Sequence, residues 1–154
     1  MGGDMQARFV HTNLVARDWR KLAAFYCEIL GCTPVYPTRD LRGPWLDRAT
    51  GVEDAHIQGI HLRLPGHGPA GPTLEIFQYD RQVPRELFAA NRPGFGHIAF
   101  GVDDVEEALR EVVNAGGGLA GELVSTIIPG LGGIVFAYAT DPEGNVIELQ
   151  QWVA

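Results

Sequence analysis

The chain is predicted to be an α+β protein of two βαβββ modules, forming a cupped, barrel-like mixed sheet with helices outside. Three observations carry this. A short apolar segment bearing a histidine opens each half, at His11 and again at His97, and each leads into a helical pattern. Each half then resumes with strand-like runs and closes on one that bears a glutamate, Glu75 or Glu148. Residues 9–80 and 95–152 share this order, with residues 81–94 as the linker. One such half leaves a sheet face uncovered, so two halves must associate, within the chain or between chains.

The first strand is placed over Phe9–Leu14. Asp18 caps a helix that carries Leu22, Phe25, Tyr26, Ile29 and Leu30 at helical spacing, and Gly31 ends it. Strands follow at Thr33–Tyr36, Ile57–Leu64 and Thr73–Tyr79, the last two separated by the turn-rich run from Pro65 to Pro72. In the linker, Pro84 and Pro93 flank a short helical stretch, Arg85–Ala90. The second half opens with a strand at Gly96–Phe100. Asp103-Asp104-Val105-Glu106 has a capping-box pattern, and Val105, Ala108, Leu109, Val112 and Val113 continue as a helix up to Gly116-Gly117-Gly118. Strands are placed at Leu119–Ser125, Ile134–Thr140 and Val146–Trp152, with Asp141-Pro142-Glu143-Gly144-Asn145 as a tight turn.

Composition narrows the function. At 154 residues and 45% hydrophobic content the chain is long enough to bury a core without staples. Cys27 and Cys32 do not make a disulfide framework and are taken as reduced packing thiols. A net charge of −7, from 19 acids against 12 bases with no Lys/Arg cluster, argues against nucleic acid and favours a small-molecule partner. No apolar run is long enough for a bilayer, and the first residues lack a secretory pattern, so no membrane partner and a cytoplasmic location are expected.

Strand alternation then sorts the ionisable residues. Leu74 and Ile76 share one face of their strand, while Glu75, Phe77 and Tyr79 share the other. His11, His97 and Glu148 likewise point away from Val10, from Ile98 and Phe100, and from Ile147 and Leu149. If the apolar faces pack on helices, the ionisable faces share a concave surface. Two carboxylates there would repel and resist desolvation, and a divalent metal removes that cost.

With His11, Phe25-Tyr26, Leu30-Gly31, Leu74–Tyr79, Gly96–Phe100, Asp141–Asn145 and Ile147–Leu149 in place, the chain resembles the vicinal oxygen chelate superfamily. Glyoxalase I, methylmalonyl-CoA epimerase, extradiol dioxygenases, and fosfomycin and bleomycin resistance proteins belong to it. The resemblance implies one divalent ion, Ni, Co, Zn or Mn, held by His11, Glu75, His97 and Glu148. It also implies an isomerase or lyase that moves a proton next to the carbonyl of a chelated small molecule, with Glu148 as base and Glu75 as its partner. Two alternatives stay open: an Fe(II) extradiol-type dioxygenase using His11, His97 and Glu148, and a drug- or ligand-binding resistance protein. A homodimer is expected in each case.

The other polar residues are weaker. His61 alternates with Leu62 and stands either as a surface strand histidine, the preferred assignment, or as a second proton carrier on the cavity face with Arg63. His56 and His67 are expected in solvent. Trp45 and Asp47 fall in a long loop after Arg39–Pro44 that is either a lid or a packing element, and Arg39, Arg42 and Arg48 give it a cationic lining. Phe136 and Tyr138 either line the pocket or pack in the core.

Overall fold

The computed structural model describes residue 3 and residues 5–153. The elements run β1 (His11–Val15), α1 (Trp19–Glu28), β2 (Thr33–Arg42), α2 (Pro44–Thr50), β3 (His56–Arg63), β4 (Thr73–Tyr79), β5 (Ile98–Gly101), α3 (Val105–Asn114), β6 (Gly118–Leu119), β7 (Val124–Ile128), β8 (Gly132–Thr140) and β9 (Val146–Val153). They form an α+β fold with two mixed sheets. The chain divides into two compact units that change over at Gln82/Val83, with Glu28–Leu30 grouped with the second.

In the first unit the strand order is β1-β4-β3-β2, with β1 parallel to β4 and the other pairs antiparallel. Leu74, Ile76, Ile60 and Leu62 are buried on one face. The other face carries His11 and Asn13 of β1, His61 of β3, and Glu75, Phe77 and Tyr79 of β4. At one end of that face Phe77 and Tyr79 pack on Leu46, Ala55 and Ile57, so the histidines and Glu75 occupy the other end. Asp18 precedes helix α1 and its carboxylate accepts from Lys21 N, and the helix buries Trp19, Leu22, Ala23, Phe25 and Tyr26. Ala16 N donates to Phe77 O, and Trp19 N to the Gln78 side chain, tying the start of α1 to β4.

The second unit repeats the plan, with order β5-β9-β8-β6 and with β7 also on β8. Again β5 runs parallel to β9, and β8 antiparallel to it. Helix α3 lies against β8 and β9, over the face that buries Ala137, Ala139, Ile147 and Leu149. Its N-cap is Asp104, which accepts from Glu107 N, so the cap sits one residue later than the Asp103–Glu106 spacing suggests.

Several sequence expectations need correction. Residues 85–90 are not helical; Arg85 instead donates to Glu143 O, Gly144 O and the Asn145 side chain, which holds the segment along the β8–β9 turn. The stretch after Pro44 is helix α2 rather than a loop, because Pro44 favours a first helical turn and left-handed Gly51 closes it. Arg39 and Arg42 lie on β2 and Arg48 on α2, so they do not line one loop. The run 119–125 is split between β6 and β7. Val10 is exposed and lies outside β1, and His97 immediately precedes β5 rather than lying within it. Among the described residues no helix is long and apolar enough to cross a membrane.

Candidate functional site

Three acidic side chains are buried among the described residues: Glu75, Asp141 and Glu148. Asp141 is explained by its turn. Its carboxylate accepts from Glu143 N, Asn145 N and Asn145 Nδ2, and left-handed Gly144 closes the loop back onto Asp141 O. The two glutamates, each 8% exposed, meet side chains from neighbouring strands instead.

In the first unit Glu75 lies opposite Asn13 on β1 and His61 on β3. Register thus places three polar side chains on one face. Asn13 Nδ2 donates to Glu75 Oε1 at 2.9 Å, His61 Nε2 lies 2.7 Å from Oε2, and His11 Nε2 lies 3.6 Å from Oε1. The rings of His11 and His61 meet edge-on at 5.6 Å, and those of His61 and Phe77 at 6.0 Å. Gly59 permits this approach, because a Cβ there would collide with Ile76 O and the Phe77 ring. Burial holds the proton affinity of His61 below the ordinary histidine value; Glu75 opposes that effect, while Arg39 and His11 add to it. With Nε2 facing a carboxylate, which only accepts, a neutral His61 carries its proton on Nε2 and donates it to Glu75. One donor atom each from His11, His61 and Glu75 lie within 4.8 Å of one another.

In the second unit Glu148 lies opposite Ala99 on β5 and Tyr138 on β8. His97 Nε2 is 3.1 Å from Glu148 Oε1, and Gln150 Nε2 donates to Oε2 at 2.8 Å. Gln150 is itself held by Trp152 Nε1, which donates to its Oε1. Tyr138 packs edge-on against His97 at 4.8 Å and hydrogen-bonds Glu148. Burial, then the Glu148 charge and that hydrogen bond, push the Tyr138 pKa up, so the phenol stays protonated and donates.

Of the residues singled out in the sequence, His11 and Glu75 meet in the first unit, and His97 and Glu148 in the second. His61, assigned to the surface, is half-buried against Glu75, and Asn13, Gln150 and Tyr138 complete the two networks. His56 is not simply solvated. It pairs with Asp40 at 2.6 Å and, with Gln58, holds that carboxyl below the usual range. Cys32 is buried, and its thiol is pushed up to about 12, so it is an inert packing group.

The family model of the Glyoxalase/Bleomycin resistance protein/Dioxygenase superfamily matches residues 8–149. A protein from Synechocystis sp. named probable lactoylglutathione lyase is 29% identical, over 92% of this chain and 93% of its own length. Another of that name from Vibrio parahaemolyticus is 28% identical, over 94% and 90%. Among solved structures, a glyoxalase family protein from Bacillus cereus superposes with a TM-score of 0.83 at 18% identity, covering 100% of this chain and 99% of that one. A glyoxalase family protein from Enterococcus faecalis gives 0.57 at 22% identity, with 96% and 98% covered. At those identities the structural likeness is one of fold.

Proposed function

The chain belongs to the glyoxalase/bleomycin resistance protein/dioxygenase superfamily, and we propose that within it the protein is a divalent-metal lyase or isomerase of glyoxalase type. The observation that supports this most is the repeated pairing of a buried glutamate with an imidazole Nε2, Glu75 with His61 and His11, Glu148 with His97. A carboxylate kept out of water is costly without a cation, and imidazole nitrogen with carboxylate oxygen suits Ni(II), Co(II), Zn(II) or Mn(II). The proposed donors are His11 and Glu75 in the first unit and His97 and Glu148 in the second. When bound, such an ion polarises a carbonyl oxygen as a Lewis acid and makes the neighbouring C–H more acidic.

The chain's own part is proton handling. Glu148 takes the proton on a carboxylate oxygen, while Gln150, Tyr138 and His97 fix the orientation of that carboxylate. Glu75, held by Asn13 and His61, is the proposed partner base. The name shared by the two relatives supports the hemithioacetal of a 2-oxoaldehyde and glutathione as substrate. The proposed assembly is a homodimer, and sedimentation at the monomer mass would remove that proposal.

The test is turnover of such hemithioacetals by metal-loaded protein, with proton NMR in deuterated water following exchange at the carbon beside the carbonyl. Product and exchange are expected. A metal-loaded protein that gives neither, with any thiol, would overturn this reading. A second proposal has its own support, because His11, His61 and Glu75 compose a two-histidine, one-carboxylate set of the kind used by Fe(II) oxygenases. Anaerobic iron loading followed by oxygen uptake with catechols tests it, and absence of uptake removes it.

A further inference from the structure

We infer that Trp152 is a positioning residue: its indole N–H holds the Gln150 amide so that the amide N–H, and not its oxygen, meets Glu148. This rests on the proposed role of Glu148 as base and adds the residue that aims its hydrogen-bond partner.

Glu148, Gln150 and Trp152 are alternate residues of β9, so their side chains leave one face of the strand. Register sets Tyr138, Phe136 and Ile134 of β8 opposite them, in that order. Along this face the polar atoms form a directed chain. Trp152 Nε1 donates to Gln150 Oε1 at 2.8 Å, and Gln150 Nε2 donates to Glu148 Oε2 at 2.8 Å. Chemistry fixes the direction at both ends, because an indole only donates and an ionised carboxylate only accepts. The primary amide between them has both a donor and an acceptor end. Turned over, it would set its oxygen against the carboxylate and its NH₂ against the indole N–H. Without the indole, only water holds the oxygen end, and the amide can swing off the carboxylate. Outer partners of this kind fix the orientation of a functional carboxylate.

Packing does not account for Trp152. Its side chain is 48% exposed, although Ile134 opposite it is buried. The first unit shows what packing aromatics do at this place. There β4 carries Glu75, Phe77 and Tyr79 in the same alternation, and Phe77 and Tyr79 pack on Leu46 of α2 with Ala55 and Ile57. Between α3 and β9 the described residues hold no helix, and the aromatic side chain two residues beyond Gln150 makes a hydrogen bond instead.

The test is NMR of the side-chain amides in the metal-free full chain, for wild type, Trp152→Phe and Gln150→Leu, beside steady-state kinetics of the same proteins loaded with metal. The amide pair missing from Gln150→Leu belongs to Gln150, and Gln150→Ala serves if circular dichroism shows that Gln150→Leu does not fold. In wild type that pair is expected to be resolved and slow to exchange with water. Trp152→Phe keeps an aromatic ring and loses the N–H, so the pair is expected to move among solvated amides and exchange faster. Trp152→Phe is expected to lower kcat about 2- to 10-fold, the worth of one ordinary hydrogen bond, with KM unchanged. Gln150→Leu is expected to lower it about 10- to 100-fold, and adding Trp152→Phe to that variant is expected to change nothing further. Unmoved Gln150 signals in Trp152→Phe would overturn the inference, and so would an unchanged kcat or losses that add in the double variant. Gln150 signals that depend on the indole, in a protein without turnover, would overturn the proposed function alone.

Discussion

The two units bury a glutamate at equivalent places, in the strand that lies between its parallel and antiparallel neighbours, yet they surround it with different chemistry. Glu75 has two imidazoles and an amide within reach; Glu148 has one imidazole, an amide and a phenol. Repetition of the fold fixes where a carboxylate can stand. The residue opposite it on the antiparallel strand, His61 or Tyr138, sets what the carboxylate meets. In the first unit the facing residue is a second imidazole; in the second it is a phenol.

That contrast is broken most directly by neutralising each glutamate. Glu148→Gln is expected to lower kcat by about 10²- to 10⁴-fold, the range for loss of a general base. Glu75→Gln and Glu148→Gln each remove a proposed donor and are expected to lower metal content, read by elemental analysis beside steady-state kinetics. The apolar faces should show no such asymmetry. Leu74→Ala and Ile147→Ala each empty a fully buried site beside a glutamate, and each is expected to cost about 2–5 kcal/mol in denaturant unfolding.

Smaller effects sharpen the comparison. Asp104→Ala removes the cap of α3 and is expected to cost about 0.5–2 kcal/mol, seen as a lower Tm. The smallest is a pH effect confined to the first unit. His61 binds its proton more weakly folded than unfolded, so the unfolded chain takes up more protons as pH falls through the ordinary histidine range, and metal-free protein loses stability there. The loss grows with acidity until the folded-state pKa is passed. His61→Phe is expected to flatten that part of the stability profile, and an unchanged profile would show that His61 does not contribute.

Much of this was legible in the sequence. Strand parity set Glu75 apart from Leu74 and Ile76, and the recurring His and Glu marked two equivalent halves. The Asp141–Asn145 run read as a turn because aspartate and glycine carry out the capping and left-handed closure seen there. His61 was misjudged for a physical reason. Parity gives a residue's face, but only register gives its neighbour, and the pairing of His61 with Glu75 spans the turn-rich 65–72 segment, whose path no local pattern fixes. Helix α2 was missed because seven residues that begin with a proline carry little periodicity. The 85–90 stretch has helical composition, but Arg85 binds three acceptors of the β8–β9 turn, and tertiary contacts outweigh weak propensity.

The central claim, that this is a metalloprotein, is tested most directly by the metal content of protein purified without added metal, measured by mass spectrometry. About one equivalent of a first-row divalent ion per chain is predicted. Metal-depleted protein should gain about 2.7 kcal/mol of stability when the matching ion is restored at 100 times its Kd. A protein that carries no metal, and gains no stability from added Ni, Co, Zn, Mn or Fe, would contradict the account and leave a ligand-binding member of the same fold.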